Sequence, residues 1–264
     1  MLPQKDFHHK KVALPSNEDV LYARSIQGML APTDEELNEL FPDLAVYDKP
    51  FGYLSGDFLF ARKKKDLTFL AVCDCTGHGI SAALMTVLAR EKLAHAFDKS
   101  IGPAHLLTRL DEKFRRSILR GDKGRLMRAG AGMDLAVVAF NHDSQSLRFA
   151  GARRPLWLVR DGALLEYKGT PRSIGGNYWR DGVFVETTIP VKSNDLVYIF
   201  TDGLADQFGG PKDKKLMTSG LRKLILEASE LPIKDQASFI SSRMYNWQSN
   251  YDPTDDQMLA VFKI

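Results

Sequence analysis

The segment LTFLAVCDCTGHGISAALMTVLAREKLAHAF, residues 67–97, decides how this chain folds. Leu67 to Asp74 is short and apolar, which predicts a strand, and it ends on a carboxylate. Gly77-His78-Gly79 makes a turn. Ile80 to Phe97 then reads as a helix, with Leu84, Val87, Leu88 and Leu93 on or near one face. An apolar strand running into aspartate is a poor place for a spare charge, because a carboxylate is costly to desolvate alone.

Similar junctions recur. Ser55-Gly56-Asp57-Phe58 and Phe200-Thr201-Asp202-Gly203 each set an aspartate beside glycine at a strand end, and Thr254-Asp255-Asp256 precedes the last apolar run. Any one of these is more often a turn than a site. Together they predict converging carboxylates, which repel one another unless a cation neutralises them. Oxygen ligands without histidine or thiolate favour Mg²⁺ or Mn²⁺, and the glycines let backbone, water and a phosphate come close.

Outward from these junctions the pattern is strands first, then helices in blocks. Ser16 and Asp19 form a capping box for a helix over 17–30, which Pro32 and Thr33 end. Strands are predicted over 44–47, 57–61, 67–74, 135–140, 147–149, 156–159, 163–167, 183–189, 196–200 and 258–264. Asp161-Gly162 is a hairpin signal between two of them. Leu106, Leu107, Leu110, Phe114 and Ile118 recur at helical spacing within a helix over 104–119, and Pro103 suits its start. Two further helices fall near 221–228 and 235–247. Tight turns imply antiparallel pairing, so the fold class is α+β in layers rather than alternating βαβ units.

Composition narrows the function. In 264 residues, 36 basic side chains against 33 acidic ones leave +3, too little to argue for nucleic acid. The one dense basic run, Arg62 to Lys65, reads as a solvated hairpin turn. No apolar stretch is long enough for a membrane span, and the opening MLPQKDFHHKK lacks the apolar core of a signal peptide. Cys73 and Cys75 are the two cysteines, too close to staple distant segments and too few for a zinc site, so they read as packing residues in a reducing, cytoplasmic setting.

The segments SGDF, CDCTGHGISAALMT, AGMDLAVVAF, LRFAGARRPLWLV, IFTDGLADQFGG and DDQMLAVFKI occur in the order seen in stage II sporulation E-type phosphatases, bacterial relatives of the type 2C metal-dependent protein phosphatases. The resemblance runs from about Ile26 to Ile264. It implies an antiparallel β-sandwich flanked by helices, with residues 1–35 a helical extension and 36–264 the phosphatase domain. It implies two Mn²⁺ or Mg²⁺ ions: Asp74 bridging them, the Cys75 carbonyl on one, and Asp57, Asp202 and Asp255 supplying further carboxylates, with Asp256 a less well aligned member. The expected activity is hydrolysis of phosphoserine or phosphothreonine on a regulatory protein, an anti-anti-sigma-like partner in partner-switching signal transduction. The competing class is a non-catalytic partner-binding module of the same fold. The helix over 17–30 is expected to mediate a homodimer or dock a regulator, against the plainer reading that it covers core surface.

The chain departs from the family at one point. Where relatives often read Ala-Gly-His before a proline, it reads Ala150-Gly151-Ala152-Arg153-Arg154-Pro155. Arg153 and Arg154 fit a phosphate grip or a surface ion pair. Asp134 fits a cap or an accessory ligand. His78 fits a turn residue better than a proton donor.

Overall fold

The computed structural model describes residues 16–120, 130–176 and 182–264. The opening stretch read for a leader lies outside them. Two five-stranded antiparallel sheets stack face to face. One has the order β1-β12-β9-β6-β7: β1 is Leu44–Lys49, β6 Leu156–Arg160, β7 Ala163–Tyr167, β9 Leu196–Phe200 and β12 Gln257–Lys263. The other has the order β2-β3-β4-β5-β8: β2 is Asp57–Lys64, β3 Leu67–Cys75, β4 Met133–Asn141, β5 Ser146–Ala152 and β8 Thr187–Pro190. Helices α3 (Gly79–Asp98) and α4 (Pro103–Arg120) cover the second sheet. After β9 come a short helix, α5 (Gly203–Asp206), and a strand pair, β10 (Phe208–Gly209) with β11 (Lys214–Lys215); helices α6 (Met217–Ser229) and α7 (Ile233–Gln248) cover the first sheet. The expected sandwich flanked by helices is the observed fold.

Strand alternation builds these layers. On β3, Phe69, Ala71, Cys73 and Cys75 point to the α3/α4 side, where Leu106, Leu107, Leu110 and Phe114 meet them. Leu70 and Val72 point the other way, between the sheets, with Ala136, Val138, Phe149, Leu158 and Ile199. Both cysteines are therefore free, buried packing residues on one face. Among the described residues no helix is long and apolar enough to cross a membrane.

Helix α1 (Asn17–Met29) has the expected capping box, yet it buries no residue. It is fastened through Gln27, whose Nε2 donates to the Ser55 carbonyl (2.6 Å) and Thr86 Oγ1 (3.1 Å), and whose Oε1 accepts from Ser55 N (3.1 Å). Three expectations need correction. The break before Pro32 and Thr33 is found, with α1 capped at Leu30, but Thr33 also starts an unexpected second helix, α2 (Asp34–Leu40): Thr33 and Glu36 form another capping box, and Leu37 and Leu40 pack on the inter-sheet core. The strand expected over 183–189 is paired only over Thr187–Pro190, because Val183 and Val185 point into solvent. Lys64, in the basic run, is not a solvated turn residue: its Nζ donates to the Phe97, Asp98 and Ser100 carbonyls and caps the end of α3.

Candidate metal centre

One end of the sandwich collects the acidic residues. Asp57, the first residue of β2, pairs with Asp74 on β3, and Asp74 pairs on its other side with Asp134 on β4. Their neighbours two residues along, Leu59, Val72 and Ala136, belong to the inter-sheet core, so the three carboxylates sit on that same inner face. The facing sheet contributes from its own ends. Asp202 lies just beyond β9, and Asp255 just before β12. A Cβ on Gly203 would lie 1.9 Å from the Asp256 carbonyl, so only glycine lets these two loops touch.

Thr201 joins the sheets here. Its hydroxyl donates to Asp57 Oδ2 at 2.7 Å and accepts the Met258 N–H at 3.0 Å. Asp256 is turned away from the group. Its Oδ1 accepts from Phe51 N and its Oδ2 from Gly56 N, both at 2.7 Å, so its carboxylate fastens the loop that leads into Asp57. Asp255 Oδ1 accepts the N–H of Asp256, at 2.9 Å, and its charge is felt by both Asp57 and Asp74. His78 is the N-cap residue of α3 but makes no side-chain cap; its ring lies 4.4 Å from that of Phe51.

The arginine beside Pro155 stands among these carboxylates. Arg154 Nη2 donates to Asp202 Oδ2 (2.6 Å), Asp74 Oδ2 (2.8 Å) and Asp134 Oδ2 (3.2 Å). Neither a surface ion pair nor an outward phosphate grip describes that placement. Arg153 is the exposed one, 3.5 Å from Asp134. Asp134 thus lies inside the acidic group, opposite Asp74.

The electrostatics are those of a site short of positive charge. Burial, then repulsion from Asp74, pushes the Asp57 carboxyl well up, against the Thr201 hydrogen bond. Burial raises Asp74 as well, with Arg154 opposing and Asp202 adding to it. Asp134 and Asp255 are raised first by burial too. For Arg154, burial works against the charge, but Asp202, Asp74 and Asp134 outweigh it and hold the guanidinium firmly protonated. As they stand, no three His, Cys, Asp or Glu side chains among the described residues frame a point for an ion, and Asp74 and Asp202 both close on Arg154. The donor chemistry nevertheless fits a hard divalent cation. It is all oxygen, and one buried guanidinium cannot neutralise the whole group.

A cavity of about 700 Å³ opens beside this end, lined by Thr76, Arg153, Lys168, Arg172 and Ser173 among others. A smaller one, about 360 Å³, lies under α1 and reaches Ser55 and Asp57 from behind.

The family model described as Stage II sporulation protein E (SpoIIE) matches residues 64–264. The SiaA-PP2C domain of Pseudomonas aeruginosa superposes with a TM-score of 0.83 at 28% identity, over 94% of this chain and 96% of that one. The RsbU and RsbW domains of a Mycobacterium tuberculosis protein give 0.66 at 19% identity, over 83% of this chain and 59% of that one. The PP2C phosphatase domain of SpoIIE from Bacillus subtilis, with a fragment of its regulatory domain, gives 0.66 at 15%, over 83% of this chain and 62% of that one. At those two identities the likeness is one of fold. No curated protein sequence matches the chain.

Proposed function

The chain belongs to the stage II sporulation protein E family of type 2C-like phosphatase domains, and from that premise we propose that it is a metal-dependent protein serine/threonine phosphatase. The observation that carries the proposal is the convergence of Asp57, Asp74, Asp202 and Asp255 from both sheets on one end of the sandwich, with more negative charge than Arg154 can balance.

In this reading Asp57, Asp74, Asp202 and Asp255, with the Cys75 carbonyl, hold two Mn²⁺ or Mg²⁺ ions. When bound, such ions supply a water acidified toward neutrality and neutralise phosphoryl oxygens. The chain's own groups do the rest. Thr201 orients Asp57, while Asp256 holds the 51–56 loop against the site and keeps both its oxygens engaged there, so we leave it out of the ligand set. Arg153 stands on the wall of the 700 Å³ cavity, where a phosphopeptide would lie.

We propose a phosphorylated regulatory protein, anti-anti-sigma-like, as substrate. The partner-switching role rests on the chain's membership of the stage II sporulation protein E family. The two free buried thiols support a cytoplasmic setting. Helix α1 buries no residue fully, whereas α2 packs Leu37 and Leu40 on the core, which supports a division just before α2, close to the boundary expected at residue 35. Exposed Leu21, Tyr22, Ile26 and Met29 suit α1 to a homodimer or a regulator.

A second reading, a non-catalytic partner-binding module, draws on Arg154 occupying two of the proposed ligands. Hydrolysis of a chromogenic aryl phosphate decides between the two. Mn²⁺-dependent turnover in the wild type and none in Asp202→Ala is expected; no metal-dependent turnover in either sinks the enzyme reading.

A further inference from the structure

Arg154 follows a glycine-rich corner in which backbone is committed to its placement. Arg153 takes a left-handed conformation, φ 62°, which an L side chain adopts only under constraint. Its N–H donates to the Thr170 carbonyl, and Arg154 N–H turns back to the Ala152 carbonyl, each at 2.8 Å. The Arg154 carbonyl is wedged between two glycines: a Cβ on Gly151 would sit 2.1 Å from it, and one on Gly169 2.5 Å. Pro155 then limits Arg154 to extended conformations. The side chain that leaves this corner is only 14% exposed, and it ends with one nitrogen shared by three carboxylates.

Two of those carboxylates, Asp74 and Asp202, are proposed metal ligands. The third, Asp134, is not. The same guanidinium has its Nε buried with no hydrogen-bond partner, an unsatisfied donor beside a nitrogen that serves three carboxylates. Its present pose is therefore good for charge and incomplete for hydrogen bonding.

We infer that Arg154 is a resident counter-cation that competes with divalent metal for Asp74 and Asp202, and that Asp134 is the partner it keeps when metal displaces it. This rests on the proposed metal site and adds to it a built-in competitor. In metal-free protein the guanidinium limits repulsion among buried aspartates. Metal must take over that work, so part of its binding energy goes to releasing Arg154, and its affinity is lower than the carboxylates alone would give. Asp134 supplies the place of retreat, since it touches the guanidinium from the side away from Asp57.

The test is Mn²⁺ titration calorimetry on the chelator-treated, dialysed 264-residue protein, with thermal unfolding of the metal-free samples alongside. Arg154→Met, which keeps most of the stem volume, should bind Mn²⁺ at least tenfold more tightly and melt lower without metal. Asp134→Asn should do the reverse to affinity, because Arg154 then has only Asp74 and Asp202 to hold. Opposite signs in the two variants cannot come from general damage to the fold. If wild type binds Mn²⁺ and Arg154→Met binds it equally or more weakly, the inference falls while the phosphatase reading stands. If Arg154→Met leaves Mn²⁺ affinity alone but weakens inhibition by inorganic phosphate, Arg154 is a phosphate grip and the inference also falls. If neither protein binds Mn²⁺, the metal site and the inference fall together.

Discussion

Strand β9 has an aspartate at each end, and the two are treated differently. Asp195, just before Leu196, is almost completely buried and fully matched. Arg160 grips it as a fork, Nε to Oδ1 at 2.8 Å and Nη2 to Oδ2 at 2.6 Å, and Lys192 N–H adds 2.7 Å to Oδ2. Asp202, just past Phe200, shares a single nitrogen of Arg154 with Asp74 and Asp134 while Asp57 and Asp255 crowd the same end. One charge to one charge, with lone pairs filled, is how a fold uses a buried carboxylate. Several carboxylates to one guanidinium is how a site asks for another cation. The contrast sets a charge-matched structural acid at one end of β9 against a proposed metal ligand at the other.

The sharpest way to break that contrast is to neutralise one acid at each end. Asp74→Asn should lower kcat/KM for a phosphoserine peptide with Mn²⁺ by roughly 10³-fold, the scale of losing a preorganised charge at a reacting centre. The metal-free protein should keep its melting temperature. Asp195→Asn should do the opposite, with turnover within about twofold and melting lowered by roughly 5 °C or more. If both variants lose stability alike and neither loses turnover, the two ends do not differ.

Metal itself sharpens the comparison. Chelation should abolish hydrolysis and added Mn²⁺ restore it. At a hundredfold excess over Kd, linkage predicts about 2.7 kcal/mol of added stability, or roughly 5–10 °C for a chain of this size. Asp202→Ala should show little of that shift in a thermal melt, and Asp195→Asn should show all of it. A full shift in Asp202→Ala would remove Asp202 from the ligand set.

A smaller effect is expected at Thr201, the hinge between the sheets at the acidic end. Thr201→Val deletes the donor to Asp57 and the acceptor for Met258 N–H, leaving buried groups unmatched. Urea unfolding of the metal-free protein should show a loss of about 1–3 kcal/mol, largely recovered by Thr201→Ser. Equal losses in both variants would mean that the methyl, not the hydroxyl, matters.

How far the sequence could be read follows from where each signal lives. The Ser16–Asp19 box, the Asp161-Gly162 hairpin and the run 196–200 are local, and each is found where its residues place it. Thr33 and Glu36 carried an equally local box for α2, masked by the breaker reading of Pro32 and Thr33. The strand ends bearing Asp57, Asp74 and Asp202 were legible because an apolar run begins at Asp57 and others end at or beside Asp74 and Asp202. Arg154 was not. Its burial depends on Gly151 and Gly169 bringing two distant backbones within contact, and nothing in Arg-Arg-Pro distinguishes that from a solvated turn. Lys64 failed for the same reason, since its acceptors lie 33 to 36 residues away.

The smallest effect is expected at the cysteines, and it reads the comparison from the opposite face of β3. Cys73 and Cys75 flank Asp74 but point into the α3/α4 core, where burial raises both thiols far above an ordinary thiol. A thiol held protonated in the fold contributes stability that is intact below the unfolded value, about 8.5, and erodes only as pH climbs beyond it. Near neutral pH the thiols therefore add no pH dependence of their own. Native protein should not react with a thiol reagent at pH 7.5, and both cysteines should react in denaturant. Labelling then reports opening of the core, and its rate should follow stability at the two ends of β9. Asp195→Asn should label faster, Asp74→Asn no faster than wild type, and Mn²⁺ should slow wild type while leaving Asp202→Ala unchanged. Rapid labelling of native wild type would show that the core opens without either end giving way, and the contrast between the two aspartates would then say nothing about global stability.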